Sequence, residues 1–171
     1  MKVLVRLIFL ALISFTAGSA HAQQGAAYDI QVNIIYRLTK YIDWPDKSGD
    51  FVIGVVGTPA IFEYMSGFLT GKTVGTRKIV LKKFPSASPA YPCQLLFIPE
   101  EENHMMRKIA GATAGAGTLL VTESEGMARR GSCINFIVVD DRIKLEINKN
   151  NIEQRNLRIA GELLALGILV K

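Results

Sequence analysis

The sequence predicts an α/β sandwich: a mostly parallel sheet of about six strands between layers of helix, with a C-terminal antiparallel hairpin at its edge. Three observations carry this. The apolar runs Phe51–Val56, Gln94–Ile98 and Thr118–Thr122 lack alternation, as strands buried on both faces do. Segments with helical periodicity fall between them, the order of an α/β fold. Late in the chain, Ile134–Val139 and Lys144–Ile147 flank Asp140-Asp141-Arg142, which reads as a hairpin.

Taken in order, Met1–Ala22 has the form of a secretory signal peptide. Lys2 is the positive start, Leu7–Ile13 the apolar centre, and Ala20-His21-Ala22 a small-x-small cleavage site. Arg6 breaks the apolar run, well short of the ~20 residues a membrane helix needs. The mature chain is then 23–171, one exported domain with no membrane insertion, periplasmic where the cell has two membranes. From Tyr28 to Tyr41, apolar residues at Ile30, Ile34, Leu38 and Tyr41 mark an amphipathic helix that stops before Trp44-Pro45. Phe51–Val56 is the first strand. Thr58 as N-cap and Pro59 at the first helical position open a short helix. Lys78–Lys82 and Gln94–Ile98 are the next strands. Glu100–Ala112 is a helix with its acids in the first turn. Thr118–Thr122 follows as a strand. A helix over Ile152–Leu169, with Leu157, Ala160, Leu163, Leu164 and Gly167 on one stripe, closes the chain.

Charge and motifs exclude several function classes. Lys and Arg number 20 against 15 acids, a net charge of +5 that falls to +3 when Lys2 and Arg6 leave with the leader. The one basic cluster, Arg77, Lys78, Lys82 and Lys83, brackets an apolar run and reads as the wet ends of an edge strand, not a nucleic-acid patch. Maturation leaves one histidine, His104, and no Cys-His cluster of metal-ligand spacing. Ser66–Thr73 ends in Gly-Lys-Thr, but Ser66 stands where a phosphate loop needs its first glycine, and a helix, not a strand, precedes it. The glycines at 111, 115 and 117 follow a helix and suit its C-terminus. No Gly-x-Ser-x-Gly elbow occurs, so neither a cofactor nor a catalytic set is expected.

What remains is a rim and two thiols. In open parallel sheets, ligands bind at the C-terminal ends of the strands. Thr58, Glu100, Glu123 and Ser124 would share that rim if their strands run parallel, and Glu123 with Glu125 is the carboxylate pair best placed for chemistry. Arg129 and Arg130 are the best exposed cations for a polar contact rim. Trp44, Tyr41 and Phe62 read as core, with an interface as the alternative place for Trp44. Cys93 and Cys133 each begin a strand; bridged or free thiols are both open.

The stretches Tyr41-Ile42-Asp43-Trp44-Pro45, Phe51–Gly57, Cys93 at a strand start, Ile134-Asn135-Phe136 with Glu146-Ile147-Asn148, and the Leu-rich C-terminus occur in an order that resembles the YfiR-like family of exported bacterial proteins. The resemblance covers nearly the whole mature chain. It implies a periplasmic, often dimeric, non-catalytic domain that restrains an inner-membrane diguanylate cyclase by binding its periplasmic region, and so lowers cyclic di-GMP and biofilm formation. Family members couple this to redox state through disulfides. Here the usual partner of Cys93 has no counterpart, and Cys133 is likewise unpaired, so Cys93 and Cys133 are the only redox candidates. A small-ligand binding module serving a histidine kinase or transporter is the alternative reading, resting on Thr58, Glu123 and Ser124.

Overall fold

A computed structural model describes residues 17–171, with side chains from Gly25 onward. Most of the expected leader therefore lies outside the described residues. Helix α1, Ala17–Tyr41, begins well before the predicted Tyr28. Of the expected stripe, Leu38 is buried and Ile34 and Tyr41 pack against the core, whereas Ile30 is 51% exposed and Val32 and Ile35 complete the buried face. Steps of three and four link both sets. The face they form continues into buried Ile42 and packs on the sheet.

The chain then runs β1 (Ile42–Asp43), β2 (Phe51–Val56), α2 (Ile61–Leu69), β3 (Thr73–Val74), β4 (Arg77–Phe84) and β5 (Leu95–Ile98). A 3-10 segment, Glu100–Met105, leads into α3 (Met106–Ala112) and β6 (Leu119–Glu123). A 3-10 turn, Met127–Arg130, precedes β7 (Ile134–Val139), β8 (Arg142–Ile147), α4 (Lys149–Glu153), β9 (Arg158–Ile159), α5 (Gly161–Leu166) and β10 (Ile168–Leu169). The main sheet has the order β10-β8-β7-β6-β5-β2-β4-β3, and β1 pairs with β9 in a small antiparallel sheet. Strands β4, β2, β5, β6 and β7 are mutually parallel. Near-continuous apolar strands are what two-sided burial requires, and β5 is buried along its length.

All six predicted strands are present; the additional β3 and β10 are two-residue edges. The β7–β8 hairpin is antiparallel as expected, but it is not the edge, because β10 runs parallel outside β8. Its turn residues, Asp140 and Asp141, both have positive φ (51° and 56°), the conformation of a two-residue turn whose twist matches the strands.

Two expectations about helices fail. The long C-terminal helix is broken into α4, β9, α5 and β10. Asn156 adopts a left-handed conformation (φ 59°) that ends α4, and Ile159 is drawn into pairing with Ile42. Thr58 does not cap α2: Ala60 holds the N-cap position without a side-chain bond, and the Phe62 and Glu63 N–H groups donate to the carbonyls of Pro59 and Ala60. The Gly-Lys-Thr stretch is a helix end and turn, with Lys72 over the Phe68 and Tyr36 rings. The basic cluster lies on β4, which β3 covers only at Arg77 and Lys78. Arg77 serves structure there, donating to the carbonyls of Asp46, Gly49 and Asp50.

An acidic groove at the strand ends

Because β2, β5, β6 and β7 run parallel, their C-terminal ends lie on one rim. The hairpin makes a groove there. Strand β6 ends at Glu123, paired with Phe136, while β7 continues through Ile137, Val138 and Val139 with only β8 beside it. The space where β6 would have continued is open. The result is a groove of about 480 Å³ lined by Gln31, Glu100, Glu123, Ser124, Glu125, Phe136–Val139, Ile143 and Glu146. Four of these are carboxylates and five are apolar; none is basic.

Each wall is held by the local fold. Asn135 is fully buried and uses its whole amide. Its Oδ1 accepts from Thr122 Oγ1 (2.7 Å) and the Ser124 backbone N–H (3.2 Å), while its Nδ2 donates to Ser124 O (2.7 Å) and Glu146 Oε2 (2.8 Å). One side chain thus ties the end of β6, β7 and β8 together. Asn103 Nδ2 donates to Ser124 Oγ at 2.8 Å and fixes the loop from the 3-10 side. From α1, Gln31 Nε2 donates to Glu123 Oε2 at 2.8 Å. Burial pushes the Glu123 carboxyl above its usual value; the Gln31 amide and the Glu100 backbone N–H pull it back, and the carboxylates of Glu101 and Glu100 push it up again.

Three buried acceptors at or near this rim have no partner among the described residues: Gln31 Oε1, Glu102 Oε2 and Asn103 Oδ1. Glu102 reaches back over β2, where Ser86 Oγ donates to its Oε1 at 2.6 Å. Gly57 lies beneath that oxygen at φ 71°, a conformation that favours glycine, and a Cβ there would push the Glu102 carboxylate aside. The rim is rich in acceptors and short of donors.

The structure brings Glu100, Glu123, Ser124 and Glu125 together as the rim argument requires. Thr58 is exposed beyond β2 and does not line the groove. Arg129 and Arg130 are exposed on the 3-10 turn, also outside it. Trp44 is 5% exposed, edge-on to Phe51 with ring centroids 4.8 Å apart, and donates from Nε1 to Gln94 O at 2.9 Å. Its indole packs into the core and also lines a second cavity of about 300 Å³ with Phe51, Val74 and Arg77. Tyr41 and Phe62 pack against the same core. His104 Nδ1 lies 3.0 Å from Glu101 O on the 3-10 segment.

Both cysteines are free and buried. A Cys93–Cys133 bridge is excluded by topology. Cys93 leads into β5 and Cys133 into β7, on opposite sides of β6; Thr118 Oγ1, just before β6, donates to Cys93 O, while Cys133 N–H donates to Leu120 O of β6. Two strand spacings are about 9–10 Å, more than the ~7 Å a disulfide spans. Burial pushes the Cys93 thiol up to about 12 and the Cys133 thiol up to about 11.

Sequence reasoning missed Gln31, Asn135, Glu146 and the apolar hairpin wall as parts of one site. One signal was present: Ile137-Val138-Val139 continues apolar where alternation calls for a polar residue. Gln31 also carried a signal, as a polar residue four before Ile35 and seven before Leu38 on the buried stripe.

No helix among the described residues is long and apolar enough to cross a membrane. No curated protein matches the chain. Residues 28–168, from within α1 to the start of β10, match the model of the YfiR/HmsC-like family, and the chain belongs to that family.

Proposed function

We propose that this protein is a periplasmic regulator that binds the periplasmic region of an inner-membrane diguanylate cyclase and restrains it, lowering cyclic di-GMP and biofilm formation. The observation that carries the reading is the family match over 28–168, which takes in nearly every described element. Binding is its whole activity; no catalytic step is involved. Two features support that view. The thiols are neutral and buried, so neither is a nucleophile. Leu166, Ile168 and Leu169 stand 73%, 47% and 61% exposed at the β10 edge, apolar surface of the kind a protein partner covers. Arg129 and Arg130 are proposed as polar contacts to the same partner, and association of two copies as a further use of the apolar edge.

The test is deletion of the gene, followed by measurement of cyclic di-GMP and surface attachment under inducing conditions, with partner capture from solubilised inner membrane. A rise in both, and recovery of a cyclase with a periplasmic domain, is expected. Unchanged cyclic di-GMP and attachment would remove the reading.

A further inference from the structure

We propose that the outer edge of β4, at residues 81–83, is a strand-addition site for an extended acidic segment of a partner protein. This edge lies at the opposite end of the main sheet from β10. The site stands apart from the cyclase reading and holds whichever protein supplies the segment.

The backbone decides which groups are open. Successive residues of a parallel strand turn their N–H and C=O groups to opposite edges. The Ile79 N–H donates to Lys72 O, on the side away from β2, while Phe84 O accepts from the Gly57 N–H that follows β2. Between these two markers, alternation turns Val80 and Lys82 toward β2, with which they are in register. It turns Leu81 and Lys83 outward. Strand β3 pairs with β4 only at Arg77 and Lys78, so it stops short of them. Among the described residues, no hydrogen bond outside the β2–β4 pairing reaches the Leu81 or Lys83 backbone. Lys83 is exposed and Leu81 only partly buried, so solvent reaches this edge. Two N–H and two C=O groups therefore face outward, the template with which an added strand pairs.

The side chains select the occupant. Lys78, Val80 and Lys82 share one face of β4, by the two-residue period of a strand. Lys78 and Lys82 are exposed, and neither has an ion-pair partner among the described residues. Lys83, on the other face, lies 3.6 Å from Glu63. Edge lysines oppose pairing with the same edge of a second copy, because like charges would then stand opposite one another. A segment with carboxylates at alternate positions has the reverse effect. One acid falls opposite Lys82, and the next, opposite Val80, is diagonal to Lys78. The residues between them fall on the other face, beside the partly buried Leu81. A neutral or basic strand could form the same backbone bonds without those charge pairs, so the edge discriminates by charge.

The experiment is a titration of the ¹⁵N-labelled protein, read by amide chemical shifts and amide exchange. The probe is a capped threonine–glutamate–valine–glutamate–threonine pentapeptide, with its glutamine and lysine counterparts as matches. In the free protein, the outward Leu81 and Lys83 amides should exchange faster than those of Val80 and Lys82. The glutamate peptide should shift the outward amides saturably and slow their exchange. It should bind about fivefold more tightly than the glutamine peptide, from two opposite-charge contacts. Lys78→Glu with Lys82→Glu should reverse the order and favour the lysine peptide. Lys83→Pro removes an outward N–H and no bond to β2, so it should lose the peptide shifts with the melting temperature nearly unchanged. Equal binding of the three peptides, no shifts with any of them, or slow exchange of Leu81 and Lys83 in the free protein overturns the site. Concentration-dependent shifts at these amides without peptide would assign the edge to a second copy and overturn the acidic occupant. Because no cyclase is involved, this result is independent of the deletion phenotype.

Discussion

Glu123 sits where a carboxylate is least comfortable: at the end of a buried strand, beside other acids, with the Gln31 amide and the Glu100 backbone N–H as donors. In the unfolded chain it titrates near ~4.3; in the fold, burial raises it. Between those two values the folded state binds more protons. Its contribution to stability is therefore complete below the unfolded value and is lost as pH rises through the raised folded one. Glu123→Gln removes that loss, so thermal melts should show the variant gaining on wild type between pH 4 and pH 7. Asn135 has the opposite character, with four hydrogen bonds and no spare capacity. Asn135→Ala leaves the Ser124 N–H without its acceptor and unties Glu146 from β6, while Thr122 keeps Ser132 Oγ and Ser124 O keeps the Met127 N–H, so it should cost about 1–3 kcal/mol in urea denaturation. Cys93 and Cys133 should resist a thiol reagent in the native state and react together once the protein unfolds, since burial keeps both protonated.

At the scale of elements, continuous apolar runs decided well, and helical spacing decided poorly at the C-terminus. The central strands were legible because a run such as Leu95–Ile98 can only be buried on both faces. The last twenty residues were not, because leucine spacing fits a helix as well as a series of short pieces. Asn156 settles the matter by adopting a left-handed conformation that most residues resist. Asn156→Ala should cost about 1 kcal/mol and Asn156→Gly little or nothing, as read by thermal or denaturant unfolding. The hairpin was legible, but its place inside β10 was not: a two-residue edge strand leaves no pattern.

At the scale of the molecule, the parallel sheet puts its polar business on one rim and its exposed apolar residues at the β10 edge. Leu166 and Leu169 are 73% and 61% exposed, so Leu166→Asp with Leu169→Asp should leave the melting temperature nearly unchanged. If that edge meets the partner, the double variant should lose capture of the membrane protein from solubilised inner membrane. Retained capture would move the interface elsewhere, toward Arg129 and Arg130.

From sequence alone came the sheet class, the six main strands, the turn at Asp140-Asp141, the family and the idea that Glu100, Glu123 and Ser124 share a rim. These follow from local properties: burial pattern, turn chemistry and the order of motifs. Only the tertiary structure decided that Thr58 stands outside the groove, that β6 separates Cys93 from Cys133, and that Gln31 meets Glu123 across 92 positions of chain. Such facts depend on which surfaces meet and which strands lie between, and pairings of that kind leave no trace in the spacing of residues along the chain.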